Sequence, residues 1–442
     1  MTTAHQTPAP EIDASTRQFF LWALATLQLP ADAKEDGVFE LLVPPEKRER
    51  FGGRESIQFR FGGAENPDCS DPVYLRLGSQ LGAQILAELR QLGPVVHAVP
   101  AGQSVSVSVL TSRLFKAYTV RDGNARLGGC SLEERPLLRY TYSIGSLGCE
   151  MGPRLVHVYA SPDGRPIDDG LLSALGAREL APFSGKPPRV SGTERAHWRN
   201  FGEQHAPIVA DSEQSELLLA TTIWCKYAQG KVLFEIGDHR AETEFQGWAQ
   251  LLVDGTILPP SFRCPETGLQ SHQVLALDDG RITVPEAVMV CEESGRRVLT
   301  TDLETCGVTN RHVLPEYLQT CPVSGERLLQ TAMVSCSQCR EEVSPHCVRG
   351  GRCGACRSME AVRSDDPRVA RVLGEYERLD RWPRWRMAET SRSYILSARS
   401  LLRRLLIVAD KESLLVKYLA DGGRFSSNWT EVPETRRKEY LG

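Results

Sequence analysis

The chain has 442 residues and a formal net charge of −4, with 41% hydrophobic and 24% charged residues. This length and balance exclude a single small domain and an intrinsically disordered chain. No apolar run is long enough to span a bilayer, and the first residues lack a basic segment followed by an apolar one. We therefore expect a cytoplasmic, multidomain α+β protein without membrane contact.

The N-terminal part of the chain predicts mixed secondary structure. We expect a disordered leader over residues 1–12 and an α+β region of one or two domains over residues 13–183. Apolar positions at helical spacing predict helices that begin near Ser15 and after Ser79, and a short helix within 167–175. Strand-like patterns lie at 38–44, 55–61, 105–110, 114–120, 137–144 and 154–160.

The middle of the chain predicts a linker and then a β-rich segment. Pro, Gly, Ser and Arg are concentrated over residues 184–200, which is typical of a linker. Residues 201–261 are predicted to be β-rich. Within them, residues 217–238 resemble a hairpin that turns near Gln229 and Gly230.

Cysteines recur every fifteen residues in the next segment. They are Cys291, Cys306, Cys321 and Cys336, and each of the first three opens a Cys-x-x-Ser/Thr-Gly/Asn turn. Cys264 opens a variant first unit, so the repeats cover residues 262–335. The turns resemble zinc knuckles in which Ser or Thr has replaced the second cysteine. We expect positive φ angles at the residues of the turns that favour them, Gly268, Gly295, Asn310 and Gly325.

Two interpretations of the single-cysteine repeats remain open. In the first, Cys264, Cys291, Cys306 and Cys321 converge on a shared second zinc ion. In the second, which we favour, the repeats are metal-free hairpins whose cysteines pack as small hydrophobic side chains, because stacked repeats hold equivalent atoms apart.

The strongest chemical motif is Cys336-x2-Cys339-x13-Cys353-x2-Cys356, within a module of residues 336–357. Two Cys-x-x-Cys turns at this spacing can converge into a closed tetrahedral zinc site. The motif resembles a zinc ribbon, which implies zinc as cofactor and a structural role. His346 and Cys347 are alternative ligands, although a loop histidine and a buried thiol explain them more simply.

The C-terminal residues 358–442 predict a basic α+β region. From residue 340 onward the chain has 21 Lys and Arg against 15 Asp and Glu. We predict a helix over 365–379, then strands or a strand–helix mixture, and a polar terminal segment that frays. Cations alternate with indoles in Arg381, Trp382, Arg384, Trp385 and Arg386. This pattern suits nucleic-acid binding, but indoles that anchor a strand are the favoured alternative.

The sequence contains no phosphate loop, dinucleotide fingerprint, His-Glu-x-x-His or Gly-x-Ser-x-Gly motif. We therefore expect a non-enzymatic zinc-binding scaffold or adaptor that presents its repeats to a protein partner in a nucleic-acid-processing assembly. Direct nucleic-acid binding by the basic region is one alternative, and an unrecognised hydrolase or nuclease is another. No small-molecule substrate is indicated. The N-terminal region and the single-cysteine repeats also resemble accessory proteins of bacterial Swi/Snf-type helicases.

Overall fold

The computed structural model describes residues 14–62, 72–102, 105–145, 153–209, 214–426 and 428–442. The expected leader, residues 1–12, lies outside these ranges. The chain divides into two compact units, which are residues 1–262 with 272–274, and residues 263–271 with 275–442. Both helices and strands are present, as the sequence predicts, and many of the strands form small hairpins.

The first unit contains six helices and eleven strands among its described residues. The helices are α1 (Ala14–Thr26), α2 (Gln80–Gln91), α3 (Val107–Ala117), α4 (Asp169–Ala174), α5 (Gly192–Val209) and α6 (Ala249–Asp254). The strands are β1 (Ala31–Ala33), β2 (Val38–Leu42), β3 (Ser56–Phe61), β4 (Val73–Leu75), β5 (Val96–Pro100), β6 (Thr119–Val120), β7 (Asn124–Ile144), β8 (Arg154–Ala160), β9 (Leu180–Pro182), β10 (Ser215–Ile236) and β11 (His239–Trp248).

Helices α1 and α2 contribute to one hydrophobic core with the sheet β1-β2-β3-β4. Phe20 of α1 and Ile85 of α2 are fully buried in this core, together with Phe59 of β3. The Ser79 hydroxyl caps α2 by accepting the Gly82 amide at 3.1 Å, which satisfies a donor that has no partner within the helix. The predicted helices beginning near Ser15 and after Ser79 are therefore confirmed, as is the short helix α4.

The second sheet of this unit has the order β8-β7-β10-β5-β9, and β11 pairs with β10. The predicted hairpin over 217–238 is wrong, because Gln229 and Gly230 lie inside the long strand β10. A Cβ atom built on Gly230 would lie 2.1 Å from the Gly129 carbonyl oxygen, so glycine here permits close approach of the paired strand β7. The actual turn to β11 is at Gly237, where φ is +58°.

The strands predicted at 105–110 and 114–120 are also wrong over most of their length, because helix α3 occupies residues 107–117. The alternating SVSVSVL sequence has the two-residue period of a strand, but Leu110 and Leu114 are four residues apart and are both buried. The Ser106 hydroxyl caps α3 by accepting the Val109 amide at 3.3 Å. Tertiary burial of one helical face therefore overrides the local β preference.

Part of the predicted linker belongs to helix α5, which begins at Gly192. Two buried tyrosines of β7 hold this helix. The Tyr140 hydroxyl donates to the Trp198 carbonyl, and the Tyr142 hydroxyl donates to the Gly202 carbonyl, each at 2.9 Å. Gly202 permits this contact, since a Cβ there would lie 2.4 Å from the Tyr140 ring.

From Phe262 onward the chain forms short hairpins and then a larger sheet. The strands are β12 (Phe262–Arg263), β13 (Gln270–Ser271), β14 (Gln273–Ala276), β15 (Ile282–Thr283), β16 (Val288–Val290), β17 (Arg297–Leu299), β18 (Glu304–Thr305), β19 (His312–Val313), β20 (Leu318–Thr320), β21 (Arg327–Leu329), β22 (Val334–Ser335), β23 (Glu342–Val343), β24 (Glu360–Val362), β25 (Arg384–Glu389), β26 (Ser393–Arg399), β27 (Arg403–Asp410), β28 (Val416–Gly423) and β29 (Thr430–Glu431). The helices are α7 (Gly354–Arg357), α8 (Pro367–Glu375) and α9 (Glu434–Leu441).

The six-stranded antiparallel sheet β24–β29 is buried on both faces. Along β27, Leu406 and Val408 share a core with the repeat cysteines, whereas Leu405 and Ile407 belong to a second core with α8 and α9. Successive side chains of a strand point to opposite faces, so the apolar run 405–409 serves both cores. The second unit is therefore built as three layers, with the sheet between the repeat hairpins and the helices.

Two predictions for the C-terminal region have different outcomes. The helix predicted over 365–379 is confirmed as α8, and the Asp366 carboxylate caps it by accepting the Arg368 amide at 3.0 Å. The predicted fraying of the terminal segment is wrong, because α9 forms there. Its Tyr440 ring is buried and its hydroxyl donates to Asp421 at 2.7 Å. Within the described residues, no helix combines the length and apolar character that crossing a membrane requires.

A half-buried histidine makes the first unit sensitive to acid. Ser15 Oγ lies 3.1 Å from His157 Nε2, and Thr141 Oγ1 lies 3.1 Å from His157 Nδ1. Burial, with a further contribution from the positive charge of Arg139, lowers the pKa of His157 to about 3. The folded protein therefore keeps this ring neutral at pH values where an unfolded histidine, with a pKa of about 6.5, is protonated.

We predict that the stability of the first unit falls as the pH decreases from about 6.5 to about 3. Only the unfolded state gains a proton on His157 in this window, so the loss approaches about 1.4 kcal/mol per pH unit. His157→Gln should remove this contribution, whereas His239→Gln, at an exposed position, should keep it. Hydrogen exchange of peptides from β7 and β8 measures the opening free energy, and parallel pH profiles for the wild type and His157→Gln would contradict the prediction.

Candidate metal centre

Two tight turns bring four cysteines together in the second unit. Cys336 and Cys339 lie in the turn between β22 and β23, while Cys353 and Cys356 lie at the start of α7. The first turn closes through the Arg340 amide, which donates to the Cys336 carbonyl at 2.9 Å. Because each turn places two side chains three residues apart on one side, both pairs of sulfur atoms point to the same space.

The sulfur atoms have the spacing of a tetrahedral site. Cys336 Sγ lies 3.9 Å from Cys356 Sγ, and Cys339 Sγ lies 3.8 Å from Cys353 Sγ. All four sulfur atoms lie within 4.8 Å of one another. A tetrahedron with metal–sulfur bonds of about 2.3 Å has edges of about 3.8 Å. The four cysteines, none more than 5% exposed, therefore form a group that could hold a metal ion.

Backbone amides and crowding set the charge of this group. The Cys353 amide donates to Cys336 Sγ at 3.3 Å, and the Cys356 amide donates to Cys353 Sγ at 3.4 Å. Hydrogen bonds from Cys339 and the other thiols lower the pKa of Cys336, whereas the adjacent Cys336 sulfur raises the pKa of Cys356. The four thiols therefore oppose one another's full ionisation, and a divalent cation would supply the compensating charge.

The structure does not bring the alternative ligands His346 and Cys347 into this group. His346 Nδ1 lies 3.2 Å from Glu326 Oε1, and its side chain is 62% exposed. Cys347 lies in a 3-10 turn, where its amide donates to the Ser344 carbonyl at 3.0 Å. Both residues are separated from the four-cysteine group, although they lie between its two turns in sequence.

The single cysteines of the repeats are buried but do not gather around one point. Cys264, Cys291, Cys306 and Cys321 are at most 1% exposed. Apart from the four-cysteine group, the described part of the chain holds no three His, Cys, Asp or Glu ligand atoms that lie within 4.8 Å of one another. The shared second site that these four residues would form is therefore not assembled.

Instead, Cys291, Cys306 and Cys321 each accept a hydrogen bond from a backbone amide, whereas the Cys264 thiol donates to the Glu266 carboxylate at 3.4 Å. Cys291 Sγ accepts the Leu314 amide at 3.4 Å, and Cys306 Sγ accepts the Leu329 amide at 3.4 Å. Burial raises the pKa of Cys306, but the Thr309 hydroxyl and three amides outweigh it and lower the pKa to about 7. The Ser or Thr that replaces the second cysteine of the knuckle therefore acts as a hydrogen-bond partner of the remaining sulfur.

The predicted backbone of the repeat turns is confirmed. The φ angles are +72° at Gly268, +73° at Gly295, +58° at Asn310 and +75° at Gly325. The equivalent residue of the four-cysteine module is Arg340, with φ of +65°, a conformation that favours glycine. The positive φ of Arg340 is not predicted from the sequence, because an arginine gives no local signal for this conformation.

The cation–indole segment does not form a stacking surface. Trp382 and Trp385 are buried against α8, α9 and the sheet, so neither ring can stack on a base. Arg381 donates to the Glu439 carbonyl, and Arg386 donates to the Met359 carbonyl, at 3.1 and 2.5 Å. Arg384 is exposed. The two indoles, Trp382 and Trp385, therefore anchor the strand, as the favoured alternative expects. Nucleic-acid binding at Arg381, Arg384 and Arg386 stays a prediction.

Comparison of the chain with protein-family models finds no match, and comparisons with curated proteins and with solved structures find none either.

We predict that loss of one ligand, as in Cys339→Ser, unfolds the region around the four cysteines. The free energy of unfolding of the second unit should fall by more than about 4 kcal/mol, because losing a metal site is among the largest single-residue effects. Hydrogen exchange should accelerate in peptides spanning 334–359. Treatment of the wild type with a strong chelator should give the same change.

Cys130→Ser, a thiol-to-hydroxyl change outside the second unit, serves as the matched control and should leave these peptides protected. If Cys339→Ser or the chelated wild type kept full protection over 334–359, the four cysteines would not form a structural metal centre.

Proposed function

We propose that the protein is a non-enzymatic scaffold whose second unit is held together by one zinc ion at Cys336, Cys339, Cys353 and Cys356, and which binds a protein partner within a nucleic-acid-processing assembly. Four thiolates at tetrahedral spacing are the donor set that zinc favours in structural sites. The observation that carries the proposal is the closure of this site. Four buried cysteines would fill every coordination position of a tetrahedral zinc ion and leave none for a substrate or a reactive water molecule.

The position of the centre supports a scaffold role. The four cysteines belong to the same hydrophobic core as the repeat cysteines and as Ile395, Leu406 and Val408 of the large sheet. Zinc binding would therefore stabilise the repeats and the sheet together, since a site that exists only in the folded state contributes its binding energy to folding.

A hydrophobic tip on the second unit supports partner binding. We name Leu401, Leu402 and Phe425 the apolar tip; their side chains are 83%, 75% and 92% exposed. The Arg424 amide donates to the Leu402 carbonyl at 3.0 Å, which holds the two loops side by side. Large apolar side chains clustered in solvent mark interaction sites. The side chains of the apolar tip are more exposed than Val290 of the repeats, which is 49% exposed.

The charge around the apolar tip indicates the chemistry of the partner. Arg399, Arg403 and Arg424 adjoin the tip in sequence, and segments 399–404 and 424–426 contain no acidic residue. We therefore infer that the partner protein offers an apolar pocket with an acidic rim, because complementary charge at the rim orients association.

Phe425 also favours a second candidate function, direct nucleic-acid binding. An exposed aromatic ring beside arginines can stack on an unpaired base while the cations contact phosphate. In this second candidate function Phe425 would be the stacking residue, and the buried Trp382 and Trp385 would not take part. The hydrolase or nuclease alternative stays a prediction; among the described residues, no three carboxylates have ligand oxygens within 4.8 Å of one another.

We predict that a triple variant with Leu401→Ser, Leu402→Ser and Phe425→Ser loses a stoichiometric protein partner that the wild type retains. Affinity purification from the native host after nuclease treatment, followed by quantification of the bound proteins, measures this. Removing three apolar side chains that the partner would bury should weaken association by more than about tenfold.

Leu415→Ser is the matched control, because Leu415 is 66% exposed in the hairpin at the opposite end of β27 and β28. It should leave binding unchanged. If nuclease releases all bound protein, and the wild type retards a single-stranded probe with steep salt dependence that the triple variant lacks, the nucleic-acid function replaces the scaffold function. Equal recovery by wild type and triple variant would rule out the apolar tip as the docking surface.

A further inference from the structure

Three repeats and the four-cysteine centre share one arrangement, which we name a paired turn. In each, the cysteine that opens a first turn accepts an amide hydrogen bond from the residue that opens a second turn further along the chain. The donor–acceptor pairs are Leu314 to Cys291 at 3.4 Å, Leu329 to Cys306 at 3.4 Å, Ser344 to Cys321 at 3.2 Å and Cys353 to Cys336 at 3.3 Å.

This shared hydrogen bond aligns the positions that hold the ligands of the four-cysteine centre. Each turn contributes its opening residue and the residue three positions later. The four sets are Cys291, Ser294, Leu314 and Tyr317; Cys306, Thr309, Leu329 and Ala332; Cys321, Ser324, Ser344 and Cys347; and Cys336, Cys339, Cys353 and Cys356. The third paired turn therefore keeps two thiols, Cys321 and Cys347. They stand at the positions that Cys336 and Cys356 hold in the four-cysteine centre, where the sulfur atoms of Cys336 and Cys356 lie 3.9 Å apart.

The two thiols of the third paired turn are close enough to affect each other. Burial raises the pKa of Cys347, and the neighbouring Cys321 thiol raises it further. Cys321 Sγ accepts the amides of Ser344 at 3.2 Å and Ser324 at 3.5 Å. These are the same kinds of N–H···S contacts that the sulfur atoms of the four-cysteine centre receive.

Two further metal-ligating side chains lie beside these thiols. Glu326 accepts a hydrogen bond from the Ser344 hydroxyl at 2.6 Å, and its other oxygen lies 3.2 Å from His346 Nδ1. The carboxylate also raises the pKa of Cys347 through its charge, after the effects of burial and of Cys321. Two thiols, a carboxylate and an imidazole therefore surround the third paired turn, and zinc accepts ligands of all three types.

We propose that Cys321, Cys347, Glu326 and His346 form a second, exchangeable site for a borderline-soft divalent cation such as Zn²⁺. This goes beyond the proposed scaffold function, and it rests on that proposal for the first zinc ion at the four-cysteine centre. The four-cysteine centre is closed, whereas this site opens to solvent through Cys347 and His346. Side chains must rotate to bind the ion, since no three of the ligand atoms lie within 4.8 Å of one another. We therefore expect it to bind more weakly and exchange faster.

Zinc titration of the full-length protein tests the proposal. The protein is first dialysed against a weak chelator that leaves one tightly bound zinc ion per chain, and Zn²⁺ is then added with a competing indicator. We expect a second equivalent to bind, and Cys347→Ser to weaken it by about 100-fold or more while the first ion stays bound. Co²⁺ bound as the second equivalent should give a tetrahedral spectrum whose sulfur charge-transfer band is weaker in Cys347→Ser, because only the Cys321 thiolate then remains.

Cys130→Ser is the control, because it removes a half-buried thiol of the first unit. A double variant with Ser324→Cys and Ser344→Cys gives an independent test of the geometry. It should complete a four-cysteine set and raise the zinc retained after dialysis from one ion to two. The proposal would be overturned if the wild type and Cys347→Ser bound the second equivalent equally well. It would also be overturned if the double variant retained only one ion.

Discussion

The second unit depends on one kind of hydrogen bond, which recurs in each paired turn: a backbone amide donates to a buried cysteine sulfur. In the repeats this bond links residues 23 apart, so each first turn is completed by the repeat that follows it. A buried amide without a partner is costly, and the sulfur supplies that partner where zinc would otherwise organise the turn. The bond therefore keeps the knuckle conformation in repeats that lack a full set of ligands, and the cysteines join the core that covers one face of the sheet.

Local features of this chain are well predicted from sequence, because they depend on a few neighbouring residues. Ser79 caps its helix, and Gly295 and Asn310 have the positive φ that their turn requires. Features decided by distant partners are not. The contact between Ser344 and Cys321 has no sequence signal, since serine is not a ligand that a motif search seeks. The SVSVSVL segment and the indoles of Trp382 and Trp385 follow the needs of the core, which override the pattern of the segment itself.

For the candidate site, the sequence identifies the four cysteines correctly because two Cys-x-x-Cys turns carry both ligand type and spacing. It offers His346 and Cys347 only as less favoured ligands, and these residues, which lie between the two turns along the chain, belong to the preceding paired turn in space. Sequence proximity is a poor guide here, because each paired turn joins one repeat to the next. The 23-residue spacing of the amide-to-sulfur bonds, which only the structure reveals, connects Cys321 with Ser344 and hence with Cys347.

The interlocking of neighbouring repeats also constrains how this segment can change in evolution. Each fifteen-residue block contains one first turn, whose cysteine accepts an amide from the block after it. It also contains one second turn, whose amide donates to the cysteine of the block before it. Gain or loss of a whole block therefore preserves every amide-to-sulfur contact, whereas an insertion of another length within a turn would bring the wrong residue over a cysteine. The segment can vary in copy number in steps of fifteen residues, and the block with four cysteines closes the array at its C-terminal end.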